Sequence, residues 1–201
     1  MILLMIIALF VMSFIDFSAP VFLGPEGQRI NLVFLIVCIF FALASYTDYL
    51  DGHIARTRGL VTDLGKFLDP VADKLLINTL CIFLAVPALF SRYAPEQVIT
   101  FNAWCVMLLV ARDIVVDALR FIAAQKNVVI AANIFGKCKT VLEMIAIILV
   151  LLNGWPFSYF DHTWPNGLRI VDFVVYITTL VSIISGVIYV VQNRKVFKEE
   201  K

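Results

Sequence analysis

Apolar runs of about twenty residues recur along this chain of 201 residues, and four aspartates at fixed spacing break one of its greasiest regions. A bilayer core about 30 Å thick needs roughly twenty apolar residues per helix. Inside it every backbone polar group must be satisfied by the segment itself. With 62% of its residues hydrophobic, the chain is excluded from the class of ordinary soluble domains. The runs predict six spans: Met1 to about Phe22, Ile30 to Thr47, Asp69 to Phe90, Val98 to Ala123, Lys139 to Trp155, and Leu168 to Gln192. The expected architecture is all-α, a single polytopic helical membrane domain over residues 1–201, without internal repeats. No charged n-region or small-residue cleavage site accompanies the first run, so a cleaved signal peptide is not expected.

Basic residues set the expected orientation. Arg56, Arg58 and Lys66 follow the second span, Lys126, Lys137 and Lys139 the fourth, and Arg194, Lys195, Lys198 and Lys201 form the tail. The opposite connections carry only Arg29, Arg92 and Arg169. Positive-inside then places both termini and the aspartates on the cytoplasmic side of the cell membrane. Trp155, Tyr159, Phe160 and Trp164 would form the outer aromatic belt. The cysteines (Cys38, Cys81, Cys105, Cys138) stand singly, without metal-ligand or disulfide spacing, and three lie in apolar runs as small hydrophobes.

The aspartates form one string: Asp48-x-x-Asp51-Gly52-x-x-Ala55-Arg56, then Gly65-x-x-x-Asp69-x-x-x-Asp73. Each ionised carboxylate in such surroundings costs several kcal/mol unless it is paired or metal-bound. On a helix Asp48, Asp51, Gly52 and Ala55 fall within about 100° of one face, and Gly65, Asp69 and Asp73 form a stripe at i, i+4, i+8. Two helices turning these faces together would build a four-carboxylate cage. Such a cage suits hard divalent ions, Mg²⁺ or Mn²⁺, and two of them would clamp the attacking and leaving oxygens of a phosphoryl transfer. Arg56 suits a diphosphate through its planar fork. Gly52 and Ala55 would let a nucleotide approach the backbone, and Thr62 would add a hydroxyl contact.

Bland roles compete. Asp69 before Pro70 has the pattern of a helix cap, although Asp63 is the preferred cap and leaves Asp69 inside the helix. Asp51 at the membrane surface has Arg58 and Lys66 within reach as pairing partners. His53 and His162 lie off the acidic face and in an outer loop, and are taken as incidental.

A second charged patch follows. Arg112, Asp113, Asp117 and Arg120 share a helical sector of about 140°, and Gly136-Lys137-Cys138-Lys139-Thr140 enters the fifth span on the same side. Convergence with the cage would make a basic pocket for a phosphate-bearing acceptor, with Arg112, Arg120, Lys137 and Lys139 as its ligands. The competing expectation is that Asp117 satisfies Arg120 at i, i+3 and Glu143 satisfies Lys139 at i, i+4. The basic residues would then serve topology or lipid headgroups.

The aspartate string resembles the signature of the CDP-alcohol phosphotransferase family, D-x2-D-G-x2-A-R-x8-G-x3-D-x3-D, at every fixed position. The resemblance implies a six-helix membrane enzyme that transfers a phospho-alcohol group from a CDP-linked donor to an acceptor hydroxyl and releases CMP. It assigns two metals to Asp48, Asp51, Asp69 and Asp73, the general base to Asp73, and nucleotide or diphosphate contacts to Gly52, Arg56 and Thr62. Later strings are similar to one branch of the family: 65–74, Ala111-Arg112-Asp113 through Leu119-Arg120, 136–140, Ser185-Gly186 and Lys195-Val196-Phe197. That branch implies CDP-diacylglycerol as donor, sn-glycerol 3-phosphate as acceptor, and phosphatidylglycerophosphate and CMP as products. A homodimer in the bilayer is implied too, and no nucleic-acid partner.

Two departures stand out. The amphipathic N-x-x-T-x-x-R segment that usually opens the family is expected to be missing here, the chain starting at Met1-Ile2-Leu3-Leu4-Met5. Asp113 also stands where the branch commonly has glutamate. Two alternatives stay open. One is another acceptor within the family, such as inositol phosphate, phosphatidylglycerol or serine. The other, more remote, is an ion transporter built on intramembrane carboxylates.

Overall fold

The computed structural model describes residues 7–9, 11, 19–58, 63–126 and 134–194, with the backbone alone at 55, 56, 63–70, 73, 124, 134, 135 and 137. Most of the first expected span therefore lies outside the described residues. The chain then forms a short antiparallel hairpin, β1 (Val21–Phe22) and β2 (Ile30–Asn31), paired Val21 to Asn31 and Phe22 to Ile30. This hairpin is the one departure from all-α among the described residues. Asn31 then caps helix α1 (Leu32–Thr57), its side-chain oxygen accepting the Val33 N–H at 2.9 Å.

The helices that follow are α2 (Asp63–Ala85), α3 (Ala103–Gln125), α4 (Ile134–Leu151), a single turn α5 (Ser158–Asp161), and α6 (Ile170–Gln192). Two long stretches meet the length and hydropathy of a membrane span: Leu32–Ile54, with mean hydropathy 2.0, and Ile170–Gln192, with 2.3. Helices α3 and α4 carry their charges mid-length (Arg112, Asp113, Asp117 and Arg120; Lys139 and Glu143), which lowers their hydropathy without shortening them.

Several boundaries differ from the sequence expectation: α2 ends at Ala85 and not near Phe90, and α4 is Ile134–Leu151 and not Lys139 to Trp155. Helix α1 does not stop near Thr47 but continues through the acid string to Thr57. At 1.5 Å per residue its 26 residues extend roughly 39 Å, beyond a hydrocarbon core of about 30 Å. Helix α2 starts at Asp63, six residues before the expected span, and Asp69 and Pro70 lie inside it, as the preference for a start at Asp63 required. The fourth span's expected start at Val98 lies outside any helix or strand; α3 begins after Asn102, whose side chain accepts the Trp104 N–H at 3.0 Å.

The end of the bundle opposite the acid string is knitted by buried amides. The Asn153 side-chain nitrogen donates to the carbonyls of Arg29 (3.0 Å) and Glu96 (2.7 Å), and its oxygen accepts the Val98 and Ile99 N–H groups at 3.1 Å each. Asn153 sits at φ +50°, a left-handed conformation that asparagine tolerates well. Next to it Gly154 has φ +81°, and a Cβ there would lie 2.6 Å from Ile99 Cδ1. Below these amides Phe34, Phe83, Phe90 and Tyr93 pack together, Phe34 meeting Phe90 edge-on at 5.3 Å. At this same end Tyr159, Phe160 and Trp164 are exposed and Trp155 half-buried.

Helix α6 packs against α3 and α4 through small residues, with Thr178, Thr179, Ser182, Ser185 and Gly186 on its buried face. Small side chains let helix backbones approach closely where lipid supplies no hydrophobic drive. All four cysteines are free; Cys38, Cys81 and Cys105 are buried, and Cys138 is exposed.

Candidate active site

At the charged end, α1 presents Asp48 and Asp51 exposed and Gly52 half-buried. His53 stacks on Tyr49, ring centroids 6.3 Å apart, within the same helix. Among the described residues neither aspartate is held in an ion pair, so their oxygens stay available. Asp69 and Asp73 lie four residues apart on α2, and Ala55 and Arg56 in the last turns of α1. The side chains of Asp69, Asp73, Ala55, Arg56 and Lys137, and all of Thr62, lie outside the described residues. The helical placement expected for both halves of the string is thus present, while the closing of the cage is not described.

The second patch is joined to the first. Lys74, the residue after Asp73, pairs across to Asp117 on α3. The expected Asp117–Arg120 pair is absent: Arg120 instead donates from Nε to the Tyr189 hydroxyl at 2.9 Å, its guanidinium carbon 5.4 Å from that ring's centroid. Helix α3 packs against both α2 and α6, so each charge finds a closer partner on a neighbour than within its own helix. Nothing in the local spacing shows this, because i, i+3 proximity carries no information about what the next helix offers.

Deeper in the bundle a charged core links three helices. Lys139 on α4 reaches both Asp113 oxygens at 2.9 and 3.0 Å, and its ion pair with Glu143 is 2.6 Å long. The i, i+4 pairing expected for Lys139 is therefore present, extended by Asp113. All three are nearly inaccessible: Asp113 and Lys139 are each 4% exposed and Glu143 0%. Arg112 completes the group, donating from Nη1 to Asp113 at 3.0 Å, from Nη2 to the Ser185 hydroxyl at 2.9 Å, and from Nε to the Ser182 carbonyl at 3.3 Å. Two cations and two carboxylates balance, which makes burial in an apolar bundle tolerable. Sequence reading had singled out Arg112 and Lys139 but not the Ser182 and Tyr189 contacts, which become visible only when α6 is laid against α3.

Carboxylates at the end of α1 and on α2, with a basic cluster on α3, are the residue types that suit the handling of phosphate groups. The chain matches the family described as CDP-alcohol phosphatidyltransferase over residues 1–185. It belongs to that family. A Bacillus subtilis protein named CDP-diacylglycerol–glycerol-3-phosphate 3-phosphatidyltransferase is 34% identical over 171 residues, covering 85% of this chain and 80% of that protein. A Mycoplasma pneumoniae protein of the same name is 35% identical over 180 residues, covering 88% and 74%. One from Rickettsia bellii, again so named, is 31% identical over 165 residues, covering 81% of each. The aspartates of α1 and α2 lie within the residues matched to this family.

Proposed function

We propose that the protein transfers the phosphatidyl group of CDP-diacylglycerol to sn-glycerol 3-phosphate, giving phosphatidylglycerophosphate and CMP. Family membership and three relatives bearing the name of that activity support the reaction class. The observation that carries the acceptor is the junction of the two charged patches: Lys74 beside Asp73 pairs with Asp117, between Arg112 and Arg120. A phosphate on the acceptor would then lie one helix away from the aspartates that handle the diphosphate.

In this reading the acceptor hydroxyl attacks the phosphatidyl phosphorus. A new P–O bond forms, the P–O bond to CMP breaks, and Asp73 takes the hydroxyl proton. The residue types suit a divalent metal: among the described residues Asp48 and Asp51 enter no ion pair, and Asp69 and Asp73 on α2 would add oxygen donors. When bound, Mg²⁺ or Mn²⁺, two ions in the full set, would supply charge neutralisation at the diphosphate. Gly52, Ala55, Arg56 and Thr62 would contact CDP-diacylglycerol, and Arg112, Arg120 and Lys137 the acceptor phosphate. Lys139, enclosed by Asp113 and Glu143, would serve from behind, through Asp113.

The reading includes six membrane-spanning helices in the bacterial cytoplasmic membrane, a cytoplasmic active site and termini, and a homodimer. The test is CMP release from CDP-diacylglycerol by the purified protein with Mg²⁺ or Mn²⁺ across a panel of acceptors. Release that depends on sn-glycerol 3-phosphate is expected. Release with inositol phosphate, phosphatidylglycerol or serine instead would overturn the acceptor, and none with any acceptor would overturn the reaction.

A further inference from the structure

Arg112 is held far more tightly than a residue needs to be merely to balance Asp113. Its side chain is 13% exposed and is bound by two helices. Asp113, adjacent on α3, takes Nη1; α6 takes Nε through the Ser182 carbonyl and Nη2 through the Ser185 hydroxyl. The stem is seated as well. A Cβ at position 186 would lie 2.8 Å from Arg112 Cγ, 3.4 Å from Nε and 3.7 Å from Cδ, so the glycine makes the trough in which the arginine lies. A guanidinium has five N–H donors, and these bonds commit one on Nε and one on each terminal nitrogen. One remains on each terminal nitrogen, enough for a two-pronged grip on a phosphate. Asp113 in turn is fixed by Lys139 from α4.

We propose that α6 is the template that aims the Arg112 guanidinium at the acceptor phosphate, with Ser185 and Gly186 as positioning residues. The inference rests on the reading of Arg112 as an acceptor-phosphate ligand. An unrestrained arginine surrenders side-chain entropy when it grips a ligand. Here that ordering is complete before the acceptor arrives, and what α6 supplies is preorganisation.

The experiment compares the full-length wild type with Arg112→Ala, Ser185→Ala, Ser185→Thr and Gly186→Ala in detergent. Initial rates of CMP release are measured while sn-glycerol 3-phosphate and CDP-diacylglycerol are varied in turn, and thermal midpoints are recorded alongside. Ser185→Ala is expected to raise the acceptor KM about three- to tenfold, the loss of one hydrogen bond to a charged group, with donor KM and midpoint unchanged. Ser185→Thr keeps the hydroxyl and should recover most of this loss. Gly186→Ala should raise the acceptor KM further; if it fails to fold, the serine pair decides alone. A raised acceptor KM in Arg112→Ala with none in Ser185→Ala would overturn the template. So would an equal fall in activity toward both substrates, or a lowered midpoint, in Ser185→Ala. No acceptor effect even in Arg112→Ala would instead overturn the acceptor assignment beneath it.

Discussion

Lys139 shows how a single side chain can bear on both stability and reaction. It bridges Asp113 and Glu143, both buried in the bundle. Lys139→Met would leave Glu143 buried without its cation, while Asp113 keeps Arg112, at a cost of about 3–5 kcal/mol. The expected outcome is a large drop in thermal midpoint in detergent, with loss of activity following loss of fold; an unchanged midpoint would contradict the pairing. Asp73→Asn is expected to behave in the opposite manner, keeping CDP-diacylglycerol binding and midpoint while abolishing transfer. Binding by calorimetry beside turnover checks this, and retained turnover would remove Asp73 as the base. Arg120→Ala should weaken sn-glycerol 3-phosphate use more than donor use, with separate KM values as the readout. Equal losses would mark Arg120 as a structural partner of Tyr189. The acidic residues were legible in the sequence because a carboxylate in an apolar run is costly and so stands out. The partners of Arg120 and Asp117 were not, since a tyrosine and a lysine on other helices leave no periodic trace.

At the level of elements, α1 carries its aspartates on an uninterrupted helix that outlasts the bilayer core, and α2 begins early enough to place Asp69 and Asp73 inside it. The apolar runs located these helices but blurred their ends, because the helix continues wherever backbone bonding allows and hydropathy records only the lipid-facing part. Thr47 was a poor boundary for that reason: its hydroxyl bonds back to the Leu43 carbonyl at 2.8 Å and the helix runs on. The loops at the far end were the least legible. Asn153 is one polar residue among many in sequence, yet its side chain satisfies backbone groups of two separate segments, Arg29 in the hairpin and Glu96 to Ile99. Asn153→Ala is expected to cost about 2–4 kcal/mol by orphaning these groups, lowering the thermal midpoint while leaving both KM values near wild type. A normal midpoint would contradict the knitting role.

Across the described residues, exposed Tyr159, Phe160 and Trp164 and the amide of Asn153 lie at the end of the bundle away from Asp48 and Asp51. The cysteines offer a native probe of orientation, because only Cys138 is exposed and it lies between Lys137 and Lys139 on the charged face. A membrane-impermeant maleimide should label Cys138 in inverted vesicles and spare it in right-side-out cells; the reverse pattern would place the active site outside. The central claim is that the aspartate helices and the basic patch of α3 form one transfer site. Its most direct test is to measure CMP and lipid product together, by radiolabel and mass spectrometry, with CDP-diacylglycerol and sn-glycerol 3-phosphate as the substrates. The account predicts CMP and phosphatidylglycerophosphate in equal amounts, both lost in Asp73→Asn. CMP released without that lipid would separate the aspartates from the basic patch and contradict it.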